Sequence, residues 1–302
     1  MPSIRMRTNA KVNLFLSVLG RRPDGYHEVE TILHGIRLSD DVEVEPTSSG
    51  RVEIDMAFEA PLNGELPQTE DNVVWTVANR LIERGAVNEG LRVRVTKRIP
   101  IGAGLGGGSS NAAGVLVALN ELWDTQIAPD ELSKLAGSVG SDVPYCIGGG
   151  TALATGRGEE ITTLPAPDDM TFVLGMSNEP LYTRDVYERW EADPDRPSVG
   201  SAPITLALGG GDVGEIASLL HNDLEPAIFG LRPELEGKKQ LLLEKGALGA
   251  LVSGSGPTLY ALAKDEAHGR SIAEAVEKEF DRTMVVRSQS ACIERLDPAE
   301  RV

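Results

Sequence analysis

Apolar and polar positions alternate along AKVNLFLSVL, residues 10–19, with Val12, Leu14, Leu16 and Val18 in one phase and Lys11, Asn13, Phe15 and Ser17 in the other. A period of two predicts a strand that sets Lys11 and Asn13 side by side on one face. The Pro23-Asp24-Gly25 turn signal ends it and leaves Tyr26 and His27 at the exit. Alternating runs at 41–45, 51–58 and 91–97 predict further strands, the last (LRVRVTK) being the clearest. Between them, Val73, Val74, Val77, Leu81 and Ile82 recur at helical spacing behind the candidate caps Asp71 and Asn72. Residues 112–123 predict a buried helix. Another starts at Pro129 and stops near Gly140, so that Asp142 falls in a loop past a helix end, and 148–158 predict a glycine-flanked strand.

The Pro/Asp-rich stretch LPAPDD, residues 164–169, interrupts this pattern, which then restarts with a strand over 170–176 and a helix around Val186. Residues 193–211 predict a polar, glycine-rich connection. Helices are expected at 212–220, 233–245 and 267–280, and strands at 248–253, 258–263 and 283–289. The expectation is a mixed α+β chain in two domains, 1–163 and 164–302.

Composition narrows the function. Asp and Glu number 46 against 29 Lys and Arg, and a net charge of -17 argues against nucleic acid or an anionic membrane as partner. No run approaches the length of a membrane span and the N-terminus has no signal-peptide core, so a cytoplasmic protein, monomer or homodimer, is expected. Cys146 and Cys292 are the only cysteines, which excludes a disulfide framework and reads as two packing thiols. No spacing suggests a protein metal cage.

The chemistry concentrates in PIGAGLGGGSSNAAG, residues 100–114. Glycines let several N–H groups converge on one point, and the following helix start adds partial positive charge; together they make a phosphate cradle. A Walker A loop is excluded because no Lys follows the last glycine. Gly102 to Gly107 matches G-x-G-x-x-G, but the acid about 20 residues on falls at a helix end and not at the end of a second strand, which argues against a dinucleotide site.

The stretch resembles the ATP-binding signature of the GHMP kinases (galactokinase, homoserine kinase, mevalonate kinase and phosphomevalonate kinase), P-x-x-x-G-L-G-S-S-A-A. Pro100, Gly104, Leu105, Gly106, Ser109, Ser110, Ala112 and Ala113 carry it, with Gly107, Gly108 and Asn111 as insertions. KVN, DGYHE, SDVPY and VSGSGPTLYAL follow the order of motifs in the branch that phosphorylates a cytidine diphosphate-linked methylerythritol on its 2-hydroxyl. The resemblance implies an N-terminal domain like the second domain of ribosomal protein S5, a ferredoxin-like C-terminal domain, and an active site between them.

For that small-molecule substrate and for ATP, the resemblance implies the following roles. Backbone N–H groups of the loop, from Gly102 and Gly104 to Ser110, hold the phosphates, with Mg²⁺ brought by ATP and the Ser109 and Ser110 hydroxyls available to it. Asp142 is the base and Lys11 the cation beside it. Asn13, Tyr26, His27 and Tyr187 hold the substrate, the aromatic groups forming a platform and reading the edge of a cytosine. His34, His221 and His268 are given no chemical role, and Arg21, Arg22, Lys97, Arg98 and Arg157 are not assigned individually, although some of them are expected to offset the acidic surface near the polyphosphates. Two rivals remain at this point: another small-molecule kinase of the family, of homoserine or mevalonate type, and a catalytically silent nucleotide-binding protein.

Overall fold

The computed structural model describes residues 3–59, 72–84, 90–191 and 199–296. Its first half runs β1 (Ile4–Arg21), β2 (His27–Thr47), β3 (Val52–Phe58), α1 (Val73–Glu83), β4 (Gly90–Lys97), α2 (Gly107–Leu122), α3 (Pro129–Gly137), α4 (Val143–Gly148), β5 (Thr151–Thr155) and β6 (Glu160–Leu164). Its second half runs β7 (Thr171–Met176), α5 (Thr183–Glu191), α6 (Ala202–Gly210), α7 (Val213–Ser218), β8 (His221–Asn222), α8 (Glu225–Leu231) and α9 (Glu234–Glu244). It ends with β9 (Gly249–Val252), β10 (Leu259–Ala263), α10 (Glu266–Val276), β11 (Arg282–Arg287) and β12 (Ile293–Leu296).

The hairpin of β1 and β2 is the spine of an eight-stranded sheet in the order β12-β1-β2-β4-β3, with β5 also on β2, β6 on β5 and β8 on β1. Both strands are longer than the alternation predicts. Thr8 to Val18 are buried without interruption, so β1 is covered on both faces and the polar phase of its alternation, Lys11, Asn13 and Ser17, is buried as well. A register shift between Asn13 and Phe15 leaves Leu14 without a partner on β2. That bulge reverses the phase beyond it. Phe15 joins Val12 in the core, whereas Leu16, expected on the face of Val12, lines the same cleft as Lys11 and Asn13.

The second sheet has four strands in the order β11-β7-β10-β9, every neighbouring pair antiparallel. With α9 before β9 and α10 between β10 and β11, this is the β-α-β-β-α-β pattern of a ferredoxin-like domain elaborated by extra helices. The second sheet opens at β7, just past LPAPDD, yet β8 and β12 return to pair with β1 of the first. Residues 202–210, expected as loop, form α6: Pro203 sits in its first turn and Gly211, at φ 79°, ends it. Residues 192–198 and the candidate cap Asp71 lie outside the described residues, while Asn72 does cap α1 through its side chain on the Val74 N–H.

Three apolar clusters divide the interior. One packs α1 to α4 on the first sheet, and another packs α8, α9 and α10 on the second. Between them, Ala10, Val12, Leu14 and Phe15 of β1 meet Phe172 and Leu174 of β7 and Tyr260 and Leu262 of β10. Fully buried side chains of this size each stabilise by about 1.5–3 kcal/mol, so the seam holds the two sheets as one body. The functional cleft opens along that seam.

Candidate active site

The glycine stretch begins its helix earlier than expected: α2 starts at Gly107, with Gly106 in the left-handed region at φ 71° as its N-cap. Ser110 N–H bonds the Gly106 carbonyl, so the N–H groups of Gly107, Gly108 and Ser109 precede the first helical hydrogen bond and face the cleft. A Cβ at Gly106 would stand 2.9 Å from Cγ of Lys11, and one at Gly104, where φ is 74°, would overlap the Ser253 carbonyl oxygen. Bare backbone is therefore needed on two sides, for the Lys11 side chain and for the turn Ser253–Gly256 of the second sheet. Leu105, 1% exposed, anchors the loop in the central cluster, and its carbonyl accepts from Lys11 N–H at 3.0 Å.

Lys11 is buried and its ammonium meets three acceptors: Asn13 Oδ1 at 2.8 Å, the Gly104 carbonyl at 3.1 Å and the Asp142 carboxylate at 3.3 Å. Three donors and three acceptors leave it fully partnered. Asp142 stands at the N-terminus of α4, a short helix inside the expected loop, but its side chain makes no capping bond there. Its carboxylate, 31% exposed, is free to face both Lys11 and the cleft.

The two serines part company. Ser110, expected to serve Mg²⁺ or phosphate, is completely buried and not among the residues lining the cleft, and its hydroxyl donates to the Asn9 carbonyl at 2.8 Å, tying the helix start to β1. Ser109 is half-buried and lines the cleft with Pro100, Gly102 and Gly108.

Lys97, unassigned from sequence, is a buried cation. It is 3% exposed and pairs with the fully buried Asp40, and it donates to Asn111 Oδ1 at 3.0 Å. Asn111 in turn donates to Asp40 and to Thr8, both at 2.9 Å, and Asp40 accepts the N–H groups of Arg98 and Ile99. This network underlies the start of α2, where a Cβ at Gly107 would stand 3.1 Å from Lys97 Nζ and 2.8 Å from Cγ2 of Ile99. The sequence holds one clue to it: Lys97 is in phase with Leu91, Val93 and Val95, the buried face of β4.

At the other end of the cleft, Tyr187 of α5 stacks on His27 with ring centroids 4.5 Å apart and 29° between planes, and Trp190 meets His27 edge-on. His27 Nε2 lies 2.8 Å from Glu191, which also pairs with Arg21. Tyr26, 54% exposed, lies beneath the Arg157 guanidinium at 4.8 Å. Arg157, also unassigned from sequence, is held at the rim, where it also contacts Glu159 and the Gly137 carbonyl. Arg21, Tyr26, His27, Arg157, Tyr187 and Glu191 line one cleft of about 1190 Å³ with the glycine loop, Lys11 and Asp142. That volume exceeds the usual single-ligand pocket.

Residues 72–150 match the family model described as GHMP kinases N terminal domain, and residues 205–282 match GHMP kinases C terminal. A 4-diphosphocytidyl-2-C-methyl-D-erythritol kinase of Pelotomaculum thermopropionicum is 40% identical over 92% of this chain and 96% of its own length. One from Shouchella clausii is 39% identical over 93% of each. The chain belongs to the GHMP kinase family. A crystal structure of a 4-(cytidine 5'-diphospho)-2C-methyl-D-erythritol kinase superposes with a TM-score of 0.75 at 34% identity, covering 94% of this chain and 98% of that one. A homoserine kinase from Cytophaga hutchinsonii superposes as well, TM-score 0.76, at 22% identity, a likeness of fold alone. In this kinase the fold therefore carries the family and the cleft must carry the choice of substrate. Among the described residues no helix is long and apolar enough to cross a membrane, and no group of three or more His, Cys, Asp or Glu could hold a metal ion.

Proposed function

We infer that the protein transfers the γ-phosphoryl group of ATP, the phosphate donor of GHMP kinases, to the 2-hydroxyl of 4-diphosphocytidyl-2-C-methyl-D-erythritol, giving the 2-phosphate and ADP. The observation that carries this reading is a single cleft with two chemically different ends. The open N–H groups of α2 and the Lys11–Asp142 pair lie at one end, and Tyr26, His27 and Tyr187 at the other.

Phosphoryl transfer asks the protein for positioning and for charge stabilisation. The N–H groups of Gly107, Gly108 and Ser109 hold ATP phosphate oxygens. The substrate hydroxyl approaches the cleft-facing side of the Asp142 carboxylate, its oxygen bonds to the γ-phosphorus as the β–γ bridge breaks, and its proton passes to that carboxylate late in a loose transition state. Lys11, held against Asp142, keeps that carboxylate oriented and offers positive charge to the transferring group. Magnesium, carried by ATP, neutralises polyphosphate charge; the Ser109 hydroxyl, half-buried in the cleft, is the side chain suited to hold it.

The cytosine stacks on the aromatic wall. With Glu191 on Nε2 of His27, the free Nδ1 edge is the part of the imidazole that reads the base. ADP formation from the cytidylylated methylerythritol, compared with mevalonate and homoserine and with an Asp142→Ala variant, tests the reading. Turnover confined to the cytidylylated alcohol and lost in the variant supports it. Turnover with either simple alcohol overturns the substrate, and ATP binding without any turnover favours a silent binding protein.

A further inference from the structure

The Lys11 ammonium is only as well placed as its acceptors, and one of them, Asn13 Oδ1, belongs to an amide that could present either end. Rotation of the amide by half a turn would set an NH₂ group against the buried ammonium and remove one of its three acceptors. The backbone of Asn13 is already fixed, because Tyr260 of β10 donates to its carbonyl at 2.8 Å. What selects the side-chain orientation lies one strand away.

Thr31 of β2 is 4% exposed and stands opposite Leu16, a register created by the bulge at Leu14. Its hydroxyl donates to the Phe15 carbonyl at 2.6 Å. A hydroxyl has a single hydrogen, so toward Asn13 it can offer only a lone pair, and there it accepts from Asn13 Nδ2 at 2.9 Å. With the NH₂ end so engaged, Oδ1 points to Lys11 at 2.8 Å, and Lys11 stands 3.3 Å from Asp142. The direction of every hydrogen bond from the Phe15 carbonyl to the Asp142 carboxylate follows from that one committed hydrogen.

We propose that Thr31 is a positioning residue for phosphoryl transfer, its hydroxyl fixing the Asn13 amide so that Lys11 is held at Asp142. This rests on the reading of Lys11 and Asp142 as the transfer centre. Thr31 touches neither reacting group, so its loss lowers kcat and leaves the KM for both substrates within about twofold. The loss of one buried hydrogen bond that acts on the transition state corresponds to a fall in kcat of about tenfold.

The test compares Thr31→Val, which keeps the shape and removes the hydroxyl, with Thr31→Ser, which keeps the hydroxyl, alongside Lys11→Met and Asp142→Asn. Expected are a drop in kcat of about tenfold for valine and recovery to within about threefold of the parent for serine. In an Asn13→Ala background, where the relay is already cut, Thr31→Val should lower kcat by no more than about twofold further. Should valine not fold, Thr31→Ala carries the same comparison. Equal kcat for valine and serine, or a full additional loss in the Asn13→Ala background, overturns the proposal. If Lys11→Met and Asp142→Asn abolish turnover while Thr31→Val does not, Thr31 alone is misassigned. If none of them lowers turnover, it is the transfer centre that is misassigned.

Discussion

The two ends of the cleft are built on opposite principles. Around the glycine loop, Lys11, Asn13, Lys97, Asp40 and Asn111 are nearly inaccessible, and each polar group is matched to a partner within the protein. At the aromatic end, Tyr26 is more exposed than not, and His27, Glu191, Arg21 and Arg157 make their contacts at the rim, where water competes. The first arrangement is ready before any ligand arrives, as electrostatic stabilisation of a transition state requires. The second leaves rings partly uncovered, so that their apolar faces gain most when a base covers them. Rate is expected to depend on the buried end and substrate choice on the exposed one.

The strongest way to break this comparison is at Asp142. Asp142→Asn keeps the shape, removes the proton acceptor and leaves Lys11 without its carboxylate; kcat should fall by about 10²–10⁴ while the cytidylylated substrate still binds. A mutant enzyme with kcat intact would detach the buried end from the chemistry.

Next in size is a pH effect on the buried half. His34 is buried between Thr151 and Ser288, bonded to both, and desolvation lowers its pKa from 6.5 to about 4. The unfolded chain therefore binds a proton that the folded one refuses between those values, and stability rises with pH across that window. The contribution is complete above pH about 6.5 and lost as pH falls toward 4, on the order of 3 kcal/mol at most. Chemical denaturation at pH 7 and pH 4.5, for the parent and for His34→Gln, should show a steeper loss in the parent.

Gly104→Ala should come third, because its Cβ would overlap the Ser253 carbonyl with no flexible side chain to move aside. A destabilisation of about 2–3 kcal/mol is expected, read as a lower denaturation midpoint, together with a higher KM for ATP. Smallest is Tyr187→Ala at the exposed end: a rise of about tenfold in KM for the cytidylylated substrate, with kcat and the KM for ATP nearly unchanged.

The sequence exposed these ends unequally. Glycines and serines at a helix start announce a phosphate cradle by their physics alone, and the ordered motifs supplied Lys11, Asn13, Tyr26, His27 and Asp142 through family resemblance. The depth of the buried end was hidden. Asp40 and Thr31 lie in β2, which is covered on both faces along much of its length and so shows no clean alternation over 27–40. The bulge at Leu14 leaves no mark in AKVNLFLSVL, since Leu14, Phe15 and Leu16 are all apolar and either phase across them suits a core. Ser110 and Ser109 are identical letters separated by one helical step of about 100°, and only the packed helix tells which faces β1 and which faces the cleft. Cys146 and Cys292, read as packing residues, do lie in the core beside Tyr145.

The division of labour between the two ends is tested most directly by calorimetric titration of cytidine 5'-diphosphate, without ATP, into the parent, Asp142→Asn and Tyr187→Ala. The account predicts binding to Asp142→Asn within about threefold of the parent and a loss of about tenfold in Tyr187→Ala. Equal affinity in all three proteins, or weakening in Asp142→Asn alone, would contradict it and place nucleotide recognition at the phosphate end.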